Sequence, residues 1–388
     1  MQQGTLTPAG SLRCAREDAH GAQKKILLCG PPMTALGGGP THMRNMFSSP
    51  LKQHYQLILF EVGSRGSTSP ATDESAFAAL RRLLTGPWTF VWRILWCRPA
   101  LVHINSALEL KAFLRDTVFL ALSKLFRRRV VLQFHGGSVA QLATGRLGRR
   151  IVRAVLMRAD ALIVLGSAAQ RGLSEIGLDK VVVIPNSVDV SEYQSVPRYH
   201  SGTIKRIAYL GRLVPDKGLL EAVDALQILR DEKGIFDLEL HIAGAGPMRV
   251  DLERHIARCE LNDRVILHGS VSGQDKVTFL LRADVLLLPS YHEGLPYSVL
   301  ESLAAGTPVI ATAVGDIPDV VTHLVHGWLI PPRDPRAIAD AVVALGSDAE
   351  ALCRMSTACQ SWSRDHLSLD HLYAQFSRIY EQLSERVG

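Results

Sequence analysis

Residues 289–319 read PSYHEGLPYSVLESLAAGTPVIATAVGDIPD, and this stretch decides the fold. The apolar run at 283–289 predicts a buried strand that ends where the stretch begins. From Tyr297 onward, apolar residues recur at helical spacing until a Gly-Thr-Pro sequence ends the pattern. Strand, loop and helix therefore form one βα unit, in which Glu293 in the loop and Glu301 in the helix flank the helix N-terminus.

This arrangement has a chemical use. A helix N-terminus offers unpaired N–H groups and a partial positive charge, which suit an anion such as a diphosphate. Carboxylates beside it repel phosphate, so their natural partners are hydroxyl groups. A sugar nucleotide has both features: Glu301 would bind a ribose and Glu293 the transferred sugar. The alternative is that Glu293 is a solvated loop acid and Glu301 only favours the first helical turns.

Strand patterns alternate with helical patterns on both sides of this unit. Such alternation predicts an α/β protein with doubly wound parallel sheets. The expected strands are 24–30, 55–62, 100–105, 130–134, 159–166 and 180–185 in the first half, and 204–210, 238–243, 265–271, 283–289 and 309–311 in the second.

A length of 388 residues suits two domains. The final helical pattern has an apolar face that includes Leu372, Phe376 and Tyr380, so we expect it to pack back on the first domain. The expected divisions are a flexible tail at 1–23, a first Rossmann-like domain at 24–190, a linker at 191–203, a second Rossmann-like domain at 204–365 and a C-terminal helix at 366–388.

Composition excludes several classes of protein. No apolar run reaches the roughly 18 residues of a membrane span, and residues 1–23 lack the apolar core of a secretory signal. The six cysteines show no CxxC spacing, which argues against a zinc site and against a disulfide framework. We therefore expect reduced thiols in a cytoplasmic protein.

The charge is divided unevenly. Residues 1–200 hold 25 Lys and Arg against 12 Asp and Glu, whereas the remainder holds 18 against 25. The first half is thus expected to face an anionic partner, such as the inner face of the cytoplasmic membrane, although an ordinary solvated face is the alternative. Nucleic acid is not expected, since we find no stacking aromatics or known binding module with the arginines. The arginines concerned are Arg127, Arg128, Arg129, Arg146, Arg149, Arg150, Arg153 and Arg158.

Ligands of doubly wound sheets bind at the carboxyl ends of the strands. In the first half, the glycine run 37–39 follows the first strand and permits close approach to a phosphate, with a flexible turn as the alternative. It is neither a G-x-G-x-x-G motif nor a Walker motif. His135 ends a strand before two glycines, which favours a functional role over a core position. His103 fits either role.

The second half places two cations at a strand end. Arg212 ends the strand 204–210, and Lys217 lies just inside the next helical pattern. A bidentate guanidinium and a point-charge ammonium suit a diphosphate. The turns that contain Gly244 and Val271 also fall at strand ends, where a base would lie.

With these motifs in place, the chain resembles the retaining GT-B glycosyltransferases of family 4, most specifically over residues 204–332. The resemblance implies two domains that face a cleft, with the acceptor in the first and the donor mainly in the second. It gives Arg212 and Lys217 to the phosphates and places His135 near the C6 hydroxyl of the sugar. The implied catalytic residues are His135, Arg212, Lys217 and Glu293, and the implied donor-binding residues are Gly38, Gly39, Arg212, Lys217, Gly244, Val271, Glu293, Gly294, Leu295, Ser298 and Glu301.

Retention by double displacement would need a carboxylate at bonding distance from the anomeric carbon. The resemblance implies instead a front-side attack, in which the departing diphosphate oxygen takes the acceptor proton. Catalysis would then be charge stabilisation by cations and a helix dipole. No DxD motif lies in a suitable loop, so we expect neither a metal nor another cofactor.

Several alternatives remain open from sequence. An epimerase or an inverting transferase would use the same fold, and an inactive membrane-associated sugar-nucleotide binding protein would keep the basic face. A nicotinamide dehydrogenase is disfavoured because its G-x-G-x-x-G and acid are missing. UDP-sugars are the first expectation for the donor, and a glycan or lipid-linked intermediate of cell-surface polysaccharide synthesis is the first expectation for the acceptor.

Overall fold

The computed structural model describes residues 23–62, 76–142, 145–194 and 203–385. Each half contains a six-stranded sheet in which every strand pairing is parallel. The α/β fold with two doubly wound sheets is therefore confirmed. The expected tail at 1–23 lies outside the described residues, apart from its last residue.

The first sheet lies close to its predicted positions. Its strands are β1 (Lys24–Gly30), β2 (Tyr55–Glu61), β3 (Leu101–Leu108), β4 (Arg129–Gly137), β5 (Ala161–Val164) and β6 (Val181–Val183), in the order β2-β1-β3-β4-β5-β6. The strand order reverses direction between β1 and β3, which is where ligands bind in such sheets. β4 extends beyond its predicted end, so that His135 lies inside the strand.

Helices cover both faces of this sheet. They are α1 (Gly38–Ser48), α2 (Leu51–His54), α3 (Ala76–Cys97), α4 (Leu110–Leu125), α5 (Val139–Leu142), α6 (Gly145–Leu156) and α7 (Ser167–Ser174). One apolar core joins α3, α4, α6 and α7 to one face, and a second core joins α1 and α2 to the other. This division follows from right-handed crossovers that run in opposite directions from β1.

The second sheet contains one strand that sequence did not predict. Its strands are β7 (Arg206–Leu210), β8 (Glu239–Ala243), β9 (Val265–Gly269), β10 (Val285–Leu288), β11 (Val309–Thr312) and β12 (Gly327–Ile330), in the order β12-β11-β10-β7-β8-β9. β12 begins with glycine and runs directly into Pro331 and Pro332, so its sequence was interpreted as part of a loop. The helices of this half are α9 (Leu219–Asp231), α10 (Arg249–Arg258), α11 (Gly273–Leu281), α12 (Tyr297–Ala304), α13 (Ile317–Val320) and α14 (Pro335–Gly346).

The chain ends with two long helices, α15 (Ala349–Leu367) and α16 (Leu369–Glu385). Leu372, Phe376 and Tyr380 of α16 are buried in the core that also contains Ile26 and Met43 of the first domain. The expected return of the last helix to the first domain is confirmed. The expected linker, residues 191–203, contains the end of a short helix, α8 (Val190–Gln194), and its residues 195–202 lie outside the described part of the chain.

Two further observations concern composition. The five cysteines in the described segments, all but Cys14, are free thiols. Of the described helices, none has the length and apolar character required to cross a membrane.

Candidate functional site

The carboxyl ends of the two sheets meet across a cleft. A side chain at Gly294 would place its Cβ 3.1 Å from the His135 carbonyl oxygen, so the loop after β10 closely approaches the end of β4. Asn186 Nδ2 of the first domain donates a hydrogen bond to the Leu295 carbonyl (3.1 Å). The loop before α12 therefore belongs to an interdomain site.

Lys217 and Glu293 meet at this cleft. The amide N–H of Tyr291 donates to the Asp216 carbonyl (2.8 Å), which holds the loop after β10 against the short turn at Pro215–Lys217. Lys217 Nζ forms an ion pair with Glu293 Oε1, and both side chains are largely buried. Lys217 thus reaches the acid-flanked turn, 76 residues later in the chain.

Arg212 lies at the same edge with its side chain exposed. Tyr209 donates its hydroxyl hydrogen to the Arg212 carbonyl (2.9 Å), and Gly211 N–H donates to the Ala243 carbonyl (3.0 Å). Burial raises the pKa of the Tyr209 phenol, Glu293 raises it further and Arg212 lowers it. The charges of Arg212 and Glu293 therefore both act on this one phenol.

Glu301 is buried in the second turn of α12, where Lys276 of α11 pairs with it. Burial raises the pKa of the Glu301 carboxyl, and the Lys276 ammonium opposes that rise. Sequence reasoning missed Lys276. The only feature of the sequence that could have indicated it is its position in the first turn of the helix that follows Val271.

The glycine run forms the N-terminus of α1. Gly37 precedes the helix with φ 115°, a conformation that favours glycine, and α1 begins at Gly38, inside the glycine run. Gly38 and Gly39 therefore supply N–H groups of a helix N-terminus, which are unpaired within the helix. This geometry suits an anion at the cleft.

His135 is held in one tautomer. Asn105 Nδ2 donates to the Cys29 carbonyl (3.1 Å), which leaves Asn105 Oδ1 to accept from His135 Nε2–H (2.8 Å). Burial lowers the pKa of His135 to about 4, so the ring is neutral at pH 7. Its Nδ1 is then a hydrogen-bond acceptor, to which a hydroxyl group can donate.

A second histidine, His42 of α1, was missed from sequence. Its ring centroid lies 4.3 Å from that of His135, and its Nδ1 lies 3.4 Å from the Tyr297 hydroxyl of the second domain. Burial lowers the pKa of His42 well below its usual value. A polar residue on the buried face of α1, beside Met43, was the available signal.

His103 belongs to the core. It is fully buried, and its Nδ1 lies 2.7 Å from the hydroxyl of Tyr380 in α16. Burial lowers its pKa to about 3. Of the two roles left open, the structure supports the structural one.

The remaining predicted donor residues follow strands β8, β9 and β10 of the second sheet. Gly244 N–H donates to the Gly269 carbonyl (2.7 Å), which joins the turns after β8 and β9 just before Val271. Asp316 N–H donates to the Gly294 carbonyl (3.0 Å). Leu295 is buried and Ser298 is half-buried in the first turn of α12.

Two aspartates connect the domains beside the site. Asp319 accepts hydrogen bonds from the Ser167 amide (2.5 Å) and the Ser167 hydroxyl (2.7 Å), and Asp316 Oδ1 accepts from the Ala168 amide (2.9 Å). Carboxylates from the second domain therefore cap the N-terminus of α7 in the first. We call this contact the aspartate clasp; it was not anticipated from sequence.

One group of potential metal ligands occurs within the described segments. Oxygen, nitrogen and sulfur atoms of Asp224, His255 and Cys259 lie within 4.8 Å of one another. The group joins α9 to α10 and includes none of the predicted site residues. Asp224 Oδ1 and His255 Nε2 already form a hydrogen bond of 2.6 Å.

Two sequence families match the chain. The family described as "Glycosyl transferases group 1" matches residues 198–362, and "Glycosyltransferase Family 4" matches residues 36–192. The chain is 26% identical over 292 residues to the amylovoran biosynthesis glycosyltransferase of Erwinia amylovora, an alignment that covers 73% of this chain and 70% of that protein.

Solved structures share the two-domain architecture. Sucrose-phosphate synthase from Thermosynechococcus elongatus aligns with a TM-score of 0.75 at 20% identity and covers 93% of this chain and 99% of that one. HepE of Anabaena in complex with UDP-glucose aligns with a TM-score of 0.69 at 18% identity, and the alignment covers 94% of this chain and 99% of that one. These similarities show the fold.

Proposed function

Because the chain belongs to the GT-B glycosyltransferases of family 4, we propose that it moves a sugar from a UDP-sugar to a glycan or lipid-linked acceptor with retention of configuration. The observation that carries the proposal is the contact of Lys217 with Glu293 beside the N-terminus of α12, opposite His135. The cation and the helix N-terminus suit a diphosphate, and the carboxylate and the neutral imidazole suit the hydroxyl groups of a sugar.

Each residue has a proposed role. Arg212 and Lys217 bind the diphosphate and stabilise its charge as the glycosidic bond breaks. Gly38 and Gly39 donate backbone N–H groups from α1. Glu293 accepts from hydroxyls of the transferred sugar. The other donor contacts are Gly244 and Val271 at the base, Glu301 and Lys276 at the ribose, and Gly294, Leu295 and Ser298 along the α12 loop.

We propose a front-side mechanism that needs no metal ion. A double displacement requires a carboxylate that attacks the anomeric carbon, whereas the proposed role of Glu293 is to accept hydrogen bonds from hydroxyls of the sugar. The departing diphosphate oxygen would take the acceptor proton while the two cations hold its charge. The expected result is activity that persists in a chelator.

The proposed setting is cell-surface polysaccharide synthesis, in the cytoplasm and on the inner face of the cytoplasmic membrane. The similarity to an amylovoran biosynthesis enzyme supports a polysaccharide product, and the solved complex of HepE with UDP-glucose supports a UDP-sugar donor. The basic first half supports an anionic surface as partner.

Calorimetric titration with UDP, GDP and ADP tests the donor class. Proton NMR of the product, begun from a donor of known anomeric configuration, then reports retention or inversion. Conversion of the donor to another sugar nucleotide without acceptor would instead identify an epimerase. Nucleotide binding with neither donor hydrolysis nor transfer would favour the inactive binding protein.

A further inference from the structure

Three exposed tryptophans follow one another along α3. Trp88, Trp92 and Trp96 recur every four residues, so they share a helix face, and they are 77%, 54% and 71% exposed. The ring centroids of Trp92 and Trp96 lie 4.8 Å apart. We call these residues the tryptophan ridge. Exposed aromatic surface of this extent commonly marks an interaction site.

The apolar surface continues on the neighbouring helices. Leu110 and Leu114 are exposed on α4, and Leu147 and Ile151 are exposed on α6. The inner sides of α3, α4 and α6 all pack into one core on the same face of the first sheet. Their outer sides therefore lie on the same side of the first sheet, and we call them together the outer helix layer.

The segment that contains this layer carries most of the net positive charge of residues 1–200. Residues 76–160 hold 15 Lys and Arg against three Asp and Glu. Two of these acids are already paired, Asp116 with Arg115 and Asp160 with Lys124 and Arg129. Arg146, Arg149, Arg150 and Arg153 are exposed on α6 around its apolar residues. The apolar layer is thus surrounded by cationic side chains with few anions to balance them.

We propose that the outer helix layer docks on an anionic lipid bilayer, with the tryptophan ridge inserted at the interface between headgroups and hydrocarbon. Tryptophan is enriched at this depth because its ring is apolar and its N–H is polar. Basic side chains beside an inserted apolar face add attraction to anionic lipids. A second copy of the chain is a poor occupant, since pairing two such layers would bring arginine against arginine.

The layer reaches the cleft. In a βα unit the helix begins near the carboxyl end of its strand, so the first turns of α4 and α6 lie on the cleft side of the sheet. About ten residues connect His135 to the start of α6. A lipid-linked acceptor held in the bilayer could then present its sugar to the site. The inference thus rests on the membrane setting of the proposed function and adds which surface of the protein binds the bilayer.

The full-length protein tests the docking in a vesicle sedimentation assay. Phosphatidylcholine vesicles are compared with vesicles that also contain phosphatidylglycerol. The triple variant Trp88→Ser, Trp92→Ser, Trp96→Ser is expected to bind the anionic vesicles about tenfold or more weakly. Phe236→Ser, which removes an aromatic side chain that is 62% exposed in the second domain, is the matched control and is expected to bind normally.

Tryptophan fluorescence reports the depth of insertion. Lipids brominated near the headgroup end of their chains should quench the wild-type emission, and the triple variant should lose this quenching while its circular dichroism is unchanged. The double variant Arg146→Glu, Arg150→Glu should lose mainly the preference for anionic over neutral vesicles.

Three results would overturn the proposal. The first is equal vesicle binding by the wild type and the triple variant. The second is a wild-type protein that binds no vesicles but forms a dimer, which the triple substitution disrupts. The third is binding of the wild type to a single-stranded oligonucleotide that the triple substitution abolishes. Assays of donor hydrolysis and of transfer to a water-soluble acceptor distinguish failure of the docking proposal from failure of the proposed function, because neither assay requires a membrane. The triple variant should retain both activities.

Discussion

At the scale of single residues, the site is a set of charges that satisfy one another. Lys217 and Glu293 pair in the cleft, and Lys276 and Glu301 pair beneath it. A buried charge without its partner is costly, so each pair keeps a functional ion in place before a ligand arrives. A bound diphosphate and its hydroxyls would then exchange contacts with groups that are already oriented.

Loss of either phosphate-binding cation should slow catalysis without unfolding the protein. Lys217→Ala and Arg212→Ala are each expected to lower kcat by about 10²–10³-fold, because charge stabilisation of the leaving diphosphate is lost. Steady-state kinetics with the identified donor measure the effect, and circular dichroism checks the fold. Lys205→Ala, at an exposed position, is the control. Wild-type turnover in both site variants would refute the assignment.

Lys276→Met should make stability depend on pH. The pKa of Glu301 is already raised by burial, and loss of the ammonium raises it further. With a folded pKa above the unfolded value of about 4.3, stability falls as pH rises through the folded pKa. We expect a deficit of about 2 kcal/mol at neutral pH that shrinks in acid.

Urea unfolding of the Lys276→Met variant and the wild type, at pH 5 and at pH 7.5, measures this deficit. Lys233→Met removes a lysine from a more exposed ion pair with Asp340 and should change little at either pH. A deficit of equal size at both values would mean that Lys276 acts through packing and not through the Glu301 charge.

At the scale of elements, α16 is a structural part of the first domain although it follows the second in sequence. Its side chains Phe376 and Tyr380 fill the face of the first sheet that α1 also covers. Tyr380 contacts His103, and Phe376 lies near His42, whose ring contacts His135. The helix therefore supports the rear of the site.

Phe376→Ala should destabilise the protein by about 3–5 kcal/mol, because it removes a fully buried ring from this core. Chemical denaturation followed by circular dichroism gives the change in unfolding free energy. Arg378→Ala, on the exposed side of the same helix, should alter stability by less than about 0.5 kcal/mol. Similar effects of the two substitutions would contradict the role given to α16.

At the scale of the whole molecule, polar contacts hold the two domains together around the cleft. The aspartate clasp joins α13 and its preceding loop to the N-terminus of α7, and Asn186 bonds to the α12 loop. Contacts of this polar kind favour domains that can separate and close. The closed arrangement brings the α12 loop to His135, as the proposed transfer requires.

Asp319→Ala should shift the protein towards a more open arrangement. The variant loses two hydrogen bonds from Ser167, one of them from the backbone N–H at the N-terminus of α7. Because a smaller fraction of the molecules is then closed, donor affinity should fall by about tenfold. Small-angle scattering without ligand measures the opening, and calorimetry measures the affinity. Glu350→Ala, a largely exposed acid outside the clasp, is the control. Unchanged scattering together with unchanged affinity would rule out this role.

Prediction from sequence succeeded where a local pattern carries the information. Buried parallel strands are short apolar runs, so eleven of them were predicted near their observed positions, and the four residues of β12 were not. Glu293 and Lys217 were placed near each other from sequence because both follow strands of the second sheet, and the two side chains do form an ion pair. Lys276 and His42 were missed because each is an ordinary helix residue until its partner, Glu301 or His135, is placed beside it.

The sequence by itself determined the alternation of strands and helices, the two-domain α/β architecture and the family, since periodicity and local motifs require no knowledge of distant contacts. Only the tertiary structure decided which charges pair, which histidine belongs to the core and which apolar helix faces remain exposed. These properties depend on the relative placement of segments tens to hundreds of residues apart. The tryptophans of α3 illustrate the difference, because helical spacing puts them on one face but only packing shows that nothing in the described chain covers that face.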